Sequence, residues 1–245
     1  MSRRYARKRM QPLVAWRALR SLLDNPERTE DVFTIIDALS GPSLERGLKK
    51  FRKTPVGNRV LEENIDLLET LGNRDYLATL QANSLGAAYL KFVTSENLSA
   101  DGLVEASETG ALEEADTQNT QEMHPDLVRF GNRQRDMHDL WHTVTQYGRD
   151  ELGEACLLAF TYAQTKNRGI GLICIAGTFK LRPHYGSDVF KAIWRGYRDG
   201  KKAGWLPAAD WEHLLTLPID EVRRTLNIDT PVAYQSLRAM DFAPA

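Results

Sequence analysis

The amino-acid sequence predicts an all-α protein built as one multi-helix domain, and three observations support this prediction. Apolar residues recur with the 3.6-residue period of an amphipathic helix in most parts of the chain. Segments that alternate apolar and polar residues are scarce, and the nearest strand candidate, the apolar run at 169–177, fits a buried helix equally well. The chain has 245 residues, of which 42% are hydrophobic, so it can bury a sizeable core. We therefore expect fewer than about a tenth of the residues in strands.

In the N-terminal half, apolar stripes predict helices over 13–23, 32–39, 44–52 and 60–71, followed by two short helices between 80 and 92. Breaking and capping residues separate these helices. Gly41 and Pro42 end the second helix, Ser43 is a candidate cap for the third, and Gly72 ends the fourth.

In the C-terminal half, the pattern predicts a long helix over 126–147 and a more apolar helix over 150–166. Gly148 is expected to end the first of these. A further helix over 189–200 ends at Gly200, a short helix lies at Trp211, and Pro218 begins the last predicted helix.

Two segments have an uneven charge. Residues 1–23 hold seven Lys or Arg and no acid, and residues 1–12 are predicted to form a basic, flexible tail. A weak transit peptide and an arm that touches anionic lipid are competing interpretations of this tail. Residues 93–128 hold nine Asp or Glu and no Lys or Arg, and we expect 96–124 to form a loosely ordered acidic connection within the single domain 1–245.

Several classes of protein are disfavoured by composition. A net charge of −1 gives no general attraction to nucleic acid. The sequence contains no uninterrupted apolar run of membrane-spanning length, about 18 residues. The basic N-terminus is not followed by the apolar stretch of a secretory signal. Cys156 and Cys174 lie in apolar segments without a CxxC motif, which indicates buried thiols in a reducing compartment.

The segment 133–160 carries the candidate chemistry. His138 and His142 are four residues apart, a spacing that puts both imidazoles on one face of a helix. Metalloprotease helices present two nitrogens to one zinc ion with the same spacing. Asp139 follows the first histidine, and its carboxylate could be a third ligand or could hold a bound water.

Glu154 is the candidate for a further ligand because it is the only charged residue between Leu152 and Thr165. An isolated carboxylate in an apolar helix is costly unless it is paired or bound to a metal. On one straight helix Glu154 would lie about 18 Å beyond His142. A turn at 148–150, near Gly148 and Gly153, would instead fold the second helix back over the histidines. The predicted site therefore lies between two helices joined by a short turn.

The identity of the metal stays open at this point. A pair of histidines with this spacing is a weak signal alone, and the neighbouring carboxylates strengthen it. Imidazole and carboxylate ligands suit zinc, and two histidines with one carboxylate also suit iron(II).

At these residues the sequence resembles the Coq-four family of ubiquinone (coenzyme Q) biosynthesis proteins. His138-Asp139-x-x-His142, followed after eleven residues by Glu154, is similar to the HDxxHx(11)E metal motif of that family. Further blocks are similar in the same order, at 29–46, 54–61, 84–92, 133–145, 151–160 and 194–228. Gln134, Met137 and the segment 177–183 depart from the pattern without touching a ligand position.

The resemblance implies an all-helical, often dimeric protein that acts on an aromatic ring with a polyprenyl tail. It implies oxidative decarboxylation of that ring, with His138, Asp139, His142 and Glu154 holding a divalent metal, for which we expect zinc. Arg135, three residues before His138, could pair with the substrate carboxylate. An apolar channel beside the site is expected to hold the tail.

The resemblance also implies partners and a location. We expect other ubiquinone biosynthesis enzymes and a membrane surface as partners. The protein would lie in the cytoplasm, peripheral to the inner membrane, or on the matrix side in a mitochondrion.

Two alternatives remain at this point. A non-catalytic scaffold could hold polyprenyl intermediates for other enzymes around a structural metal, which the lack of a redox-cofactor motif favours. A zinc-dependent hydrolase is the other, although an aspartate stands where zinc peptidases have a glutamate.

Overall fold

Helices account for nearly all of the regular secondary structure. The computed structural model describes residues 10–25, 28–96 and 124–241. These residues contain no β-strand, and an isolated antiparallel bridge joins Ser84 to Pro218. The predicted single-domain, all-α fold is therefore confirmed. Most of the predicted basic tail and acidic connection lies outside the described residues, at 1–9 and 97–123, so both stay predictions.

The N-terminal half consists of short helices. In chain order they are α1 (Pro12–Asp24), α2 (Thr29–Ala38), α3 (Ser43–Phe51), α4 (Pro55–Glu62), α5 (Leu67–Gly72), α6 (Arg74–Thr79) and α7 (Leu85–Ser95).

The C-terminal half contains the longer helices. They are α8 (Pro125–Asp136), α9 (His138–Thr145), α10 (Glu151–Thr165), α11 (Arg168–Tyr185) and α12 (Asp188–Lys202), then a 3-10 turn (Leu206–Ala208), α13 (Trp211–Leu214), α14 (Ile219–Thr225) and α15 (Val232–Met240). The apolar run at 169–177 lies in α11, so it is a helix rather than a strand.

The predicted single helix over 126–147 is wrong in two respects. Met137, with φ −79° and ψ 0°, interrupts it and separates α8 from α9. The apolar stripe continues on both sides of this fully buried residue, so periodicity did not reveal the break. The helix also ends before Gly148, because Gln146 adopts the left-handed conformation with φ 63° and caps α9.

Three other boundaries differ from the sequence predictions. The helix predicted over 60–71 is two helices, because Asn64 is left-handed with φ 56° and Asp66 caps the next helix by accepting a hydrogen bond from the Leu68 amide. Ser43 is the first residue of α3 rather than its cap, and its hydroxyl donates to the Ser40 carbonyl. The first of the two short helices expected between 80 and 92 lies earlier, at α6.

Helix α10 lies in the core and packs most closely against α12. Two glycines of α12 make the approach possible, since a Cβ at Gly196 would lie 2.6 Å from the carbonyl oxygen of Cys156 and one at Gly200 would lie 2.5 Å from that of Phe160. Gly200 therefore serves helix packing and does not end the helix, contrary to the prediction. Because α10 also carries Glu154, this packing fixes the depth of that residue.

Helix α1 packs on α2 and α11 through a separate apolar cluster. Its buried face consists of Ala15, Ala18 and Leu19, which join Ile35 and Ile173. Among the described residues, no helix combines the length and apolar character needed to cross a bilayer. Cys156 and Cys174 are buried and unpaired, in agreement with the sequence prediction.

Candidate metal centre

Three predicted ligands converge at the junction of α9 and α10. Atoms of His138, His142 and Glu154 lie within 4.8 Å of one another. His142 Nε2 is 3.4 Å from one carboxylate oxygen of Glu154, and His138 Nε2 is 4.0 Å from the other. The four-residue spacing brings the two rings together, with centroids 4.7 Å apart.

The turn between the helices folds Glu154 back over the histidines, as the sequence analysis predicted. Asp150 caps α10 by accepting a hydrogen bond from the Gly153 amide at 3.0 Å. A Cβ on Gly153 would lie 2.1 Å from the Gly148 carbonyl oxygen, so only glycine allows the turn to lie against the helix here. Glu154 is thereby in the first turn of α10, where the positive end of the helix dipole favours a carboxylate.

The C-terminal helix ties down this turn. The Tyr234 hydroxyl donates to Asp150 Oδ2 at 2.5 Å and accepts from the Gly148 amide at 3.0 Å. Arg238 donates to the same hydroxyl, and its Nε lies 3.4 Å from the Asp150 carboxylate. The geometry of the turn thus depends on α15, more than 80 residues further along the chain.

Hydrogen bonds at the opposite nitrogens aim both imidazoles at Glu154. His142 Nδ1 donates to the Tyr147 carbonyl oxygen at 2.9 Å, and His138 Nδ1 contacts Asp139 Oδ1 at 3.2 Å. Since both partners accept, the neutral rings carry their protons on Nδ1. Each Nε2 then presents a lone pair, which is the arrangement found for histidines that bind metals.

The residues fit a bound divalent cation. His142 Nε2 is buried and has no hydrogen-bond partner among the described residues, although it faces the Glu154 carboxylate. Two lone pairs and a carboxylate repel one another unless a cation or proton lies between them. Metal–ligand bonds of about 2 Å would place ligand atoms up to about 4 Å apart. The observed separations therefore need only a small adjustment of the partly exposed His138 or Glu154.

The charges of the site shift three pKa values. Burial acts to raise the pKa of Glu154, but His142, His138 and Arg149 outweigh it and hold this pKa below its usual range. The pKa of Asp139 is also lowered, because the hydrogen bond and charge of His138 outweigh burial. Desolvation acts to lower the pKa of His138, whereas Asp139 and Glu154 raise it by a larger amount.

One side of the site is open. The His142 side chain is 0% exposed, whereas those of His138 and Glu154 are 36% and 33% exposed. Phe92 of α7 stacks on the His142 ring, with the ring centroids 5.7 Å apart. Water or a substrate could therefore approach from the side of His138 and Glu154.

The other predicted site residues lie around the three ligands. Asp139 is buried and contacts the His138 nitrogen that faces away from Glu154. Arg135 pairs with its neighbour Asp136 at 2.8 Å, and its contact with a substrate stays a prediction. The apolar channel also stays a prediction, since a surface cavity lined by Arg17, Arg20 and neighbouring residues lies along α1 rather than beside the ligands.

Sequence reasoning missed Arg149, whose Nε lies 3.8 Å from Glu154 Oε1. It is the only Lys or Arg between His142 and Glu154, and this signal could have identified it. Phe92 and Tyr234 were also missed, and no local pattern identifies them because they come from distant helices.

Relatives of the chain share a description. Ubiquinone biosynthesis protein COQ4, mitochondrial, of Scheffersomyces stipitis is 24% identical over 216 residues, covering 87% of this chain and 63% of the relative. The protein with this description in Mycosarcoma maydis is 29% identical over 160 residues, covering 65% of this chain and 40% of the relative. The chain thus spans less than two thirds of the length of these relatives. The Aedes aegypti homolog is 26% identical and covers 89% of this chain and 74% of its own length.

A solved structure shows the same fold. The crystal structure of a protein from Nostoc punctiforme, described as a ubiquinone biosynthesis protein, superposes with a TM-score of 0.62 at 22% identity and covers 91% of this chain and all of that one. The family model "Coenzyme Q (ubiquinone) biosynthesis protein Coq4" matches residues 6–107 and 124–232, which include His138, His142 and Glu154. This chain therefore belongs to the Coq4 family of ubiquinone biosynthesis proteins.

Proposed function

We propose that the protein is a metal-dependent enzyme of ubiquinone biosynthesis that oxidatively decarboxylates a polyprenylated hydroxybenzoate-type ring. The observation that carries the proposal is the buried, unpartnered His142 Nε2, which faces Glu154 beside His138. A purely structural cluster would satisfy this nitrogen with a hydrogen bond. The open side of the site gives a substrate access to the same point.

The reaction replaces the ring carboxyl group by a hydroxyl group. The bond between the ring and the carboxyl carbon breaks, and carbon dioxide leaves. Dioxygen is the oxidant, one of its atoms becomes the hydroxyl oxygen, and the other leaves as water after a two-electron donor has supplied two electrons and two protons. The reaction therefore needs a reductant in addition to the metal.

His138, His142 and Glu154 would hold the metal, with zinc as the proposed ion and iron(II) as the other candidate. When bound, it would act as a Lewis acid toward the ring carboxylate or phenolate. Asp139 belongs to the proposed metal site, and its contact with His138 Nδ1 supports the role of orienting that ring. Arg149, next to Glu154 and partly exposed, is positioned to bind an anionic substrate group, and Arg135 is the candidate from sequence.

Product analysis of the purified, metal-loaded protein tests this proposal. Prenylated hydroxybenzoate labelled in the carboxyl group is supplied with dioxygen and a reductant such as ascorbate. Release of labelled carbon dioxide, together with the hydroxylated ring, supports the proposal. The matched control is Glu151→Gln, which changes an exposed carboxylate of the same helix, paired with Lys180, and should retain activity. Equal product from His142→Ala and the unchanged protein would contradict it.

A scaffold that binds polyprenyl lipids around a structural metal is the second candidate. The chain has no motif for a flavin, nicotinamide or iron–sulfur cofactor that would supply the electrons, and this observation favours the scaffold. A scaffold would bind the prenylated ring without releasing carbon dioxide under any reductant. Retained ligand binding without product formation therefore identifies this alternative.

The partners and location of the protein are part of the proposal. A substrate with a polyprenyl tail partitions into lipid, so we expect the protein to lie at the surface of the inner membrane, on its cytoplasmic or mitochondrial matrix side. We also propose that it forms a homodimer and associates with other ubiquinone biosynthesis enzymes.

A further inference from the structure

We propose that the outer face of α1 is a docking surface for an anionic lipid bilayer. This outer face consists of Leu13, Trp16, Arg17, Arg20, Leu23 and Asp24. The inference deepens the proposed function by naming the surface that meets the membrane. It does not depend on the metal or on catalysis.

Helix geometry separates the two sides of α1. Ala15, Ala18 and Leu19 are buried against α2 and α11. At 3.6 residues per turn, the outer face lies on the opposite side of the helix. Leu13 is 74% exposed and Trp16 is 58% exposed, so two large apolar side chains extend from the protein surface. An isolated exposed apolar residue is ordinary, but two on adjacent turns of one helix face, with Leu23 further along, form a stripe.

The charges on this face identify anionic lipid as the partner. Arg17 and Arg20 are exposed between the apolar residues, and among the described residues no carboxylate forms an ion pair with either of them. Asp24 is the only acid in the helix and lines the same surface cavity as Arg17 and Arg20, so this face carries two arginines and one carboxylate. The chain that leads into α1 adds five Lys or Arg and no acid within residues 1–9. Amphipathic helices that lie in the bilayer interface combine tryptophan and leucine with arginine in this way.

A second exposed apolar patch provides a comparison. It lies on α11 and α12, where Phe179 and Phe190 are in contact at 6.0 Å and Trp194 lies one turn beyond Phe190. Three cations of these helices are paired with carboxylates, Lys180 with Glu151, Lys191 with Asp188 and Arg195 with Asp199. Arg182 and Arg198 are exposed without an ion pair among the described residues, so the patch has cations of its own, and the charge that distinguishes α1 is the further basic segment 1–9 that leads into it. Because its exposed apolar residues are similar, this patch serves as the control surface.

Vesicle sedimentation of the full-length, metal-free protein tests the proposal. Vesicles of phosphatidylcholine with phosphatidylglycerol are compared with vesicles of phosphatidylcholine alone, at low salt and near 1 M salt. We expect the unchanged protein to bind the anionic vesicles at low salt and to be released in part at high salt, because salt screens the arginines. The double variant Leu13→Ser/Trp16→Ser should bind at least about tenfold more weakly, because it removes most of the exposed apolar area of the stripe.

The matched control is Phe179→Ser/Trp194→Ser, which removes two similarly exposed residues from the α11–α12 patch and should bind like the unchanged protein. Helical circular dichroism and the Tm verify that each variant is folded. Arg17→Glu/Arg20→Glu provides an independent check, since these surface changes should weaken the preference for anionic vesicles without altering the core.

Three results would overturn the proposal. One is equal binding of the unchanged protein and the α1 variants. Another is loss of binding only in the α11–α12 control, which would place the lipid on that patch. The third is a change from dimer to monomer in the α1 variant, measured by light scattering, with lipid binding intact, because the face would then contact a second copy of the chain. Since no substrate or metal is present, failure of the proposed decarboxylation would leave these results unaffected.

Discussion

Substitution of Glu154 by glutamine removes one proposed metal ligand with little change in shape. The carboxylate lies 3.4 Å from His142 Nε2 and 4.0 Å from His138 Nε2. Glu154 is the one acidic residue of the three, so an uncharged amide in its place should bind a cation more weakly. Loss of residues that merely orient metal ligands lowers metal affinity about 10- to 100-fold in other proteins. We therefore expect Glu154→Gln to lower zinc affinity at least about 100-fold.

The size of the effect on stability follows from linkage. Zinc at a concentration 100 times its Kd stabilises a protein that binds it only when folded by about 2.7 kcal/mol. For a chain of this size each kcal/mol raises Tm by about 2–4 °C, so the unchanged protein should gain about 5–11 °C. In Glu154→Gln the same zinc concentration equals the new Kd or lies below it. The gain should then be at most about 0.4 kcal/mol, or less than about 2 °C.

Calorimetric unfolding with and without zinc measures this difference, and titration calorimetry gives the Kd directly. Glu151→Gln is the control, because Glu151 lies three residues earlier on α10, is exposed and pairs with Lys180. It should retain the full zinc-dependent gain. If Glu154→Gln shows the same zinc-dependent rise in Tm and the same Kd as the unchanged protein, the proposed site is wrong.

Four further predictions concern pH, the turn, helix packing and the N-terminal arm. The raised pKa of His138 stabilises the metal-free protein below about pH 6.5, and this contribution is lost as the pH rises through the folded-state pKa. As the pH rises through this pKa, the Tm measured in EDTA should therefore fall, and it should fall less in the His138→Gln variant. Zinc affinity should rise over the same pH range, because the imidazoles must be deprotonated to bind the metal. Tyr234→Phe should lower zinc affinity about tenfold through the turn, whereas Tyr185→Phe, which removes a comparable hydrogen bond to Asp241, should not; equal affinities in titration calorimetry would contradict this. Gly196→Ala should destabilise the fold by about 1–3 kcal/mol in urea unfolding, with zinc binding retained, and an unchanged midpoint would show that the close α10–α12 contact is not rigid. Deletion of residues 1–10, which hold five Lys or Arg, should reduce sedimentation with anionic vesicles at low salt, and equal sedimentation would exclude a membrane role for the arm.

The sequence predicted the convergence of His138, His142 and Glu154 because the evidence for it is local. The four-residue spacing of His138 and His142 is sufficient to place both rings on one helix face. The isolation of Glu154 among apolar residues indicated a carboxylate that needs a partner. Gly148 and Gly153 marked the turn that brings the two helices together, and these glycines contact each other in the structure.

Other features of the site depend on contacts that no local pattern records. The Tyr147 carbonyl and the Asp139 carboxylate fix which nitrogen of each imidazole faces Glu154, and the sequence left the role of Asp139 open between ligand and orienter. Tyr234 reaches the turn from the C-terminal helix. The break at Met137 is similarly hidden, since the apolar period continues across it.

By itself, the sequence determined the helical class, the family and the residues that could bind a metal, because periodicity, spacing and charge isolation are properties of neighbouring positions. The tertiary structure decided which imidazole nitrogens face Glu154, that Gly200 packs against α10, and which face of α1 stays exposed. Each of these depends on the packing of helices that are distant in the chain. An amphipathic pattern shows that one face of a helix is buried, but only the assembled fold shows which apolar residues, such as Leu13 and Trp16, have no helix against them.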